Sequence, residues 1–130
     1  MNAHEYFKHV AFLTAQLSPV FTKCGALIVT DDTQNIVSIG YNHHRLGVQQ
    51  SPDGSHVCHA EVKAIQNLDE NVTGELTMYV TLAPCVKCAK AIVDAQIFTV
   101  FCGPCHPDPK YKCAEALDYL RAKGVILGSL

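Results

Sequence analysis

Two short segments carry the residue types of a metal site, and each precedes a predicted helix. His59-Ala60-Glu61 opens one helical segment, and Pro84-Cys85-Val86-Lys87-Cys88 opens the next, with one predicted strand between them. Cys85 and Cys88 lie one helical turn apart, so both sulfurs face the same side and can bind one ion. The chain must therefore fold so that His59 meets these two sulfurs.

This residue set is typical of a catalytic zinc site. Three protein ligands leave the fourth tetrahedral position of zinc to water. Glu61, two residues beyond His59, points to another side of the same turn, so we expect it near the ion without being a ligand. A carboxylate there can carry a proton between water and a leaving group. The alternative is a structural site with Cys58 as fourth ligand, but the side chain adjacent to His59 is expected to face elsewhere.

The apolar pattern predicts alternating helices and strands around these segments. The amino-terminal helix has Tyr6, Val10, Leu13 and Leu17 on one stripe, with Phe7, Ala11 and Thr14 beside it, and it ends before Pro19. We interpret Tyr6, Phe7, Phe12 and Phe21 as packing residues. The other predicted elements are strands at 24–30, 36–41, 76–82 and 97–102, helices at 59–68, 84–95 and 113–124, an edge strand at 125–127, and a loop at 42–57. This order predicts an α/β sandwich whose mixed sheet is covered on both faces.

Composition favours a small-molecule enzyme inside the cell. The 130 residues suit one domain, 1–130, and the net charge of −2 with no basic cluster argues against a nucleic-acid partner. No apolar run approaches the roughly 20 residues that span a bilayer, so we expect no membrane partner. Without a secretory pattern at the amino terminus, we expect a cytoplasmic location. Seven cysteines in a reducing compartment then indicate metal ligands rather than disulfides.

A second cysteine pair, in Cys102-Gly103-Pro104-Cys105-His106, has several interpretations. It resembles a redox pair or a haem attachment motif, but it follows a late strand rather than opening a first helix, and haem attachment needs export. A second metal site that includes Cys113 is the other alternative. We favour ordinary buried or free thiols for these cysteines, as for Cys24 in its apolar strand.

The motifs together resemble the deoxycytidylate deaminase family from Tyr6 to about Val125. The order His-x-Glu then Pro-Cys-x-x-Cys is the signature of zinc deaminases, and Thr-Leu-x-Pro-Cys favours this branch over tRNA adenosine deaminases. The shared segments are Gly40-Tyr41-Asn42, Cys58-His59-Ala60-Glu61, Met78-Tyr79-Val80-Thr81-Leu82, Pro84-Cys85 and Cys88-Ala89-Lys90. The resemblance implies a three-layer α/β/α cytidine deaminase-like fold with a five-stranded mixed sheet. It also implies Zn2+ on His59, Cys85 and Cys88, proton transfer by Glu61, and a homo-oligomer that hydrolyses dCMP to dUMP and ammonia.

The resemblance also implies substrate contacts. Asn42 is expected to contact the sugar, and the backbone of Ala60, Leu82 and Ala83 to hold the pyrimidine edge. Two departures affect other contacts. His43-His44-Arg45 replaces the family's Gly-x-Pro, so Arg45 either lines the substrate mouth or is an ordinary exposed loop residue. Lys63 replaces an asparagine, and it either meets a phosphate or points to solvent.

Two alternatives to dCMP deamination stay open at this point. One is another small cytosine substrate, such as a nucleoside, a triphosphate or a modified cytosine. The other is a zinc-binding module that keeps the fold without turnover. The loop at 42–57 is shorter than in the large regulated family members, so we expect no triphosphate regulation through it. Lys110, Tyr111 and Lys112 follow the fourth strand, where relatives close over the substrate, although a solvated loop fits them equally well.

Overall fold

The computed structural model describes residues 1–44 and 57–130. Its helices are α1 (Ala3–Ala15), α2 (Ala60–Gln66), α3 (Val86–Asp94) and α4 (Cys113–Ala122). Its strands are β1 (Gly25–Thr30), β2 (Ile36–Tyr41), β3 (His43–His44), β4 (Val57–Cys58), β5 (Leu76–Val80), β6 (Thr99–Cys102) and β7 (Ile126–Ser129). A 3-10 turn at Pro109–Tyr111 precedes α4.

Five of the strands form one mixed sheet in the order β2-β1-β5-β6-β7. The β1–β2 hairpin is antiparallel, and β1 also pairs antiparallel with β5. The β5–β6 and β6–β7 pairs are parallel, because the chain crosses over through α3 and then α4 between them. The two-residue strands β3 and β4 pair with each other beside the sheet. The predicted five-stranded mixed sheet is confirmed.

Helices cover both faces of this sheet. On one face, Phe7 and Ala11 of α1 pack against Leu27, Val29 and Tyr79. On the other face, α2, α3 and α4 cover the alternate side chains of the same strands, including Ala26, Ile28, Met78, Val80 and Val100. Every residue of β1 is buried, as expected for a central strand between two helical layers. The three-layer α/β/α architecture is therefore confirmed.

The buried face of α1 differs from the predicted stripe. Phe7, Ala11 and Thr14 face the sheet, because small residues let α1 approach the backbone of Gly25, where a Cβ would lie 2.5 Å from the backbone nitrogen of Ala15. Close backbone approach, rather than side-chain size, selects the buried face. The predicted packing role is therefore wrong for three of the aromatic residues. The large apolar side chains left exposed here are Tyr6, Phe12, Leu13, Leu17 and Phe21.

The cysteines of the carboxyl-terminal third also differ from the prediction. Cys105 and Cys113 form a disulfide, so the expectation of free thiols for these two is wrong. The spacing of eight residues does not predict this disulfide. The two Cα atoms lie 5.7 Å apart because the turn at Pro109–Tyr111 folds the chain back. Cys102 is a free cysteine, as are Cys24, Cys58, Cys85 and Cys88.

No helix within residues 1–44 and 57–130 has the length and apolar character needed to cross a bilayer.

Candidate metal centre and active site

The three predicted ligands lie at the first turns of two neighbouring helices. His59 is the N-cap of α2 and Cys85 is the N-cap of α3, both with extended backbone, and Cys88 follows one turn into α3. Neither residue makes a side-chain capping hydrogen bond, and the imidazole of His59 faces the thiol of Cys85. The positive ends of both helix dipoles point at this spot and favour thiolate over thiol.

The distances between the three side chains fit one zinc ion. His59 Nδ1 lies 3.2 Å from Cys88 Sγ and 3.5 Å from Cys85 Sγ, and the three ligand atoms all lie within 4.8 Å of one another. Tetrahedral zinc with ordinary Zn–N and Zn–S lengths separates N and S by about 3.6 Å. Within the described part of the chain, this is the only cluster of three potential metal ligands. Its donor set and spacing fit Zn2+ with one open position.

The electrostatics of the site favour a deprotonated sulfur. A hydrogen bond from the Cys88 thiol, supported by one from His59, lowers the pKa of Cys85 to about 4 despite partial burial. The same hydrogen bond raises the pKa of Cys88, because the Cys88 thiol is the donor and must keep its proton to make the bond. Hydrogen bonding to Cys85 also raises the pKa of His59. Thiolate is the form that binds a metal, so the protein alone already prepares one sulfur as a ligand.

Glu61 lies beside this cluster in the first turn of α2. Its side chain is buried, with 5% of the residue exposed. Burial raises the pKa of the carboxyl group, although its own backbone N–H and His59 act in the opposite direction. A carboxyl group with a raised pKa can both accept and release a proton near neutral pH. This position meets the geometric requirement for a proton carrier.

A cavity of about 350 Å³ opens onto the cluster. Its volume lies in the range typical of small-ligand sites. Four of the six predicted substrate contacts line it, namely Asn42, Ala60, Leu82 and Ala83, together with His59, Glu61 and Cys85. Lys63 lies further along α2 and outside the lining residues, whereas Arg45 lies outside the residues that the structure describes.

Asn42 organises one wall of the cavity. Its side-chain Oδ1 accepts a hydrogen bond from the backbone N–H of Cys24 at 2.9 Å, and its Nδ2 donates to the carbonyl of Thr22 at 2.8 Å. These bonds hold the segment at 20–24, whose Val20, Phe21 and Thr22 also line the cavity. Asn42 therefore positions this wall, and its contact with a sugar stays a prediction.

The backbone N–H groups predicted to hold a pyrimidine differ in whether they already have a hydrogen-bond acceptor. Ala60 is the first residue of α2, so its N–H has no acceptor within the helix. The N–H of Ala83 already donates to the carbonyl of Pro104 at 3.0 Å. Of these two N–H groups, the one suited to a ligand is therefore that of Ala60.

Sequence reasoning missed part of the opposite wall. His106, Asp108, Lys110 and Tyr111 line the cavity from the loop between β6 and α4, and the sequence indicates a place near the substrate only for the last two. The Tyr111 ring lies 5.9 Å from the ring of His59 and 4.4 Å from that of His106, measured between ring centroids. The signal that predicts an ordered turn here is Asp108-Pro109, an N-cap residue followed by proline.

Comparison with known proteins identifies the family. Residues 1–104 match the family model for the cytidine and deoxycytidylate deaminase zinc-binding region. The chain belongs to this family. The predicted Zn2+ cofactor is confirmed by this match together with the His59, Cys85 and Cys88 cluster.

Individual members of the deaminase family differ in how far they align. Deoxycytidylate deaminase of Homo sapiens is 38% identical over 107 residues, which cover 72% of this chain and 60% of that protein. A tRNA-specific adenosine deaminase of Haemophilus influenzae is 39% identical over 77 residues, which cover 56% of this chain and 40% of that protein. The chain spans about three fifths of the length of the deoxycytidylate deaminases that it matches.

The fold agrees with a solved deaminase over nearly the whole chain. The dCMP deaminase of cyanophage S-TIM5, in complex with dCMP and dUMP, has a TM-score of 0.82 and 23% sequence identity, and the alignment covers 98% of this chain and 96% of that chain. This agreement confirms the predicted cytidine deaminase-like fold.

Proposed function

We propose that residues 1–130 form one zinc-dependent hydrolytic deaminase domain that acts on a cytosine nucleotide, with dCMP as the leading substrate. Water replaces the amino group at C4, and the products are dUMP and ammonia. The observation that carries this proposal is the convergence of His59, Cys85 and Cys88 at a cavity that also holds buried Glu61. Relatives named deoxycytidylate deaminase support the choice of substrate.

In this proposal His59, Cys85 and Cys88 hold the metal. When bound, zinc supplies a Lewis acid that makes water nucleophilic near neutral pH. His59 would hold the metal from α2, and Cys85 and Cys88 would hold it from α3. Nδ1 of His59 faces both sulfurs, so it is the ring nitrogen that would bind the metal.

Glu61 moves the protons of the reaction. Its carboxylate takes a proton from the attacking water and delivers it to N3 of the cytosine ring. It then takes the second proton from the hydroxyl group now bound to C4 and delivers it to the amino group, which leaves as ammonia while C4 becomes a carbonyl. The buried position excludes bulk water from the carboxylate, which keeps the proton within the site. The raised pKa of Glu61 lowers the cost of holding that proton between the two transfers.

The cavity walls orient the nucleotide. The N–H of Ala60 and the carbonyl of Ala83 suit O2 and the amino group of cytosine, and Leu82 closes the apolar side. Asn42 faces the sugar from the wall at 20–24. Arg45 and Lys63 stay candidates for the phosphate group.

The proposal also covers the oligomeric state, the kind of substrate and the location of the enzyme. Five large apolar side chains on and after α1 are exposed, from Phe12 at 44% to Phe21 at 93%, which supports a homo-oligomer. A net charge of −2 supports a small substrate rather than a polynucleotide. We place the enzyme in the cytoplasm.

Ammonia release tests the function across substrates. Zinc-loaded protein is assayed with deoxycytidine, dCMP, dCDP, dCTP and the 5-methylated form of dCMP. We expect the highest kcat/KM with dCMP. A higher kcat/KM with another cytosine compound would reassign the substrate but keep the chemistry.

A zinc module without turnover is the competing function, and Glu61 separates the two. If the protein only binds, Glu61→Ala leaves zinc content and nucleotide affinity unchanged and there is no turnover to lose. If it is a deaminase, the same substitution removes turnover while the zinc stays bound.

A further inference from the structure

The loop between β6 and α4 forms a cavity wall that is closed by a covalent bond. Cys105 and Cys113 are joined by a disulfide across eight positions of the chain. Between them lie four of the residues that line the cavity, namely His106, Asp108, Lys110 and Tyr111. The disulfide therefore encloses a segment that faces the proposed substrate.

This wall touches the metal centre. Tyr111 packs its ring between those of His59 and His106, at 5.9 and 4.4 Å between centroids. The hydrogen bonds of Asp108 are local, since its Oδ1 accepts from the N–H of Lys110 and its own N–H donates to His106 Nδ1, both at 3.0 Å. These bonds shape the turn, whereas the disulfide fixes its carboxyl end to its amino end.

The backbone beside the disulfide adopts a conformation that is rare for a residue with a Cβ. Lys112 directly precedes Cys113 and has φ 51° and ψ 47°, the left-handed region that is unfavourable for a residue with a Cβ. Such a conformation persists only where the surrounding structure imposes it. The covalent link to Cys105 is one such constraint.

We propose that the Cys105–Cys113 pair is a redox-modification site that sets the position of this wall. The oxidised pair keeps Tyr111 against His59, and reduction by a dithiol releases the wall and weakens nucleotide binding. The identity of the ligand rests on the proposed function, but the release of the loop does not.

The different exposure of the two cysteines indicates which sulfur the reductant attacks in thiol–disulfide exchange. Cys105 is exposed and Cys113 is half-buried at the start of α4. A thiolate of the dithiol attacks Cys105 Sγ and forms a mixed disulfide, and Cys113 leaves as a thiolate near the positive end of α4. The second thiol of the reductant then attacks its own sulfur in the mixed disulfide. Cys105 leaves as a thiolate, and the reductant is oxidised by two electrons to its disulfide.

Hydrogen exchange tests the release without using activity. The zinc-loaded protein is compared as purified and after treatment with a phosphine reductant, and zinc content is measured in both. Peptide mapping of the untreated protein should find a Cys105–Cys113 linkage. After reduction, the amides of residues 106–112 should exchange at least about tenfold faster, as expected for a segment that loses a structural constraint. A Cys102–Cys105 linkage, or unchanged exchange in 106–112, would overturn the proposal.

Kinetics with cysteine variants test the effect on the site. In the wild type, reduction should raise the KM for dCMP, with a smaller change in kcat. If one tenth of the reduced molecules keep the wall in place, the increase in KM is roughly tenfold, because only those molecules bind the nucleotide. We expect the same KM as in the reduced wild type for Cys105→Ser, Cys113→Ser and the double variant, because each lacks the disulfide. The reductant should not change the KM of these variants. Cys102→Ser is the matched control and should keep the wild-type response to reduction. Additive effects of the two single variants, or a response that persists in the double variant, would contradict the proposal.

Failure of the proposed function looks different. A protein that neither releases ammonia from dCMP nor binds dUMP in either redox state is not a dCMP deaminase. Faster exchange of residues 106–112 on reduction would still support the redox site, and unchanged exchange would still reject it.

Discussion

At the scale of single residues, Glu61 separates metal binding from chemistry. It is buried beside the ligand cluster but is not one of its members, so replacing it should leave the metal in place. We expect Glu61→Gln to lower kcat for dCMP by roughly 10²–10⁴-fold, the usual share of general acid–base catalysis. Ammonia release and zinc stoichiometry are measured on the same preparation. Undiminished turnover in the zinc-loaded variant would exclude Glu61 as the proton carrier.

Asn42 provides a second test, of the cavity wall. Asn42→Ala removes the partners of two backbone groups, the N–H of Cys24 and the carbonyl of Thr22. Leaving such groups without partners typically costs about 1–3 kcal/mol of unfolding free energy. Urea denaturation measures this loss. Asn67→Ala is the matched control, because the exposed side chain of Asn67 makes a single hydrogen bond, to the carbonyl of Ile39, and its loss should cost about 0.5 kcal/mol or less.

At the scale of elements, the close packing of β2 on α2 positions half of the metal centre. A Cβ on Gly40 would lie 2.5 Å from the backbone nitrogen of Ala64 and 2.6 Å from the carbonyl oxygen of Ala60. We expect Gly40→Ala to push α2 outward, to cost about 1–3 kcal/mol of stability and to weaken zinc binding, because His59 caps that helix. Chemical denaturation and competition with a zinc chelator measure the two effects.

The neighbouring residue on β2 provides the control for this substitution. Ile39 is 42% exposed on the opposite face of the strand, so Ile39→Thr should leave zinc affinity at the wild-type value. Equal zinc affinity in the Gly40→Ala variant would show that the α2 position does not set the site.

The elements also show what the sequence can and cannot predict. The hairpin and the helix starts were predictable, because turn residues and capping positions are local signals, and β2 begins and ends where the pattern predicted. The strand expected at 76–82 ends at Val80, where Thr81 makes the last hydrogen bonds to Gly25 of β1. The buried face of α1 was not predictable, because it depends on Gly25, a residue on another element.

The same distinction holds for the site. The ligand set and Glu61 follow from spacing within two helices, so the sequence indicates them directly. The wall formed by His106 and Tyr111 depends on how the chain returns from β6 to α4, and the Cys105–Cys113 disulfide depends on the same return. A spacing of eight residues carries no information about such a turn without the fold.

At the scale of the whole molecule, the metal should act as a cross-link between α2 and α3. A ligand present at a thousand times its dissociation constant stabilises the native state by about 4 kcal/mol, which corresponds to roughly 10–15 °C in Tm for a domain of this size. We therefore expect chelation to lower Tm by about that amount and added zinc to restore it, as measured by calorimetry. The Cys85→Ser variant should have a Tm close to that of the chelator-treated wild type, and the chelator should not change it. A Tm that is independent of zinc would show that the ion does not link the helices.

X-ray absorption at the zinc edge measures the ligands of the ion. We expect about one zinc per chain, with two sulfur ligands near 2.3 Å and two nitrogen or oxygen ligands near 2.0–2.1 Å, one of them from His59 and the other from solvent. Substoichiometric metal, or a third sulfur from Cys58 in place of the solvent oxygen, would contradict it, because no open position would remain for the reaction.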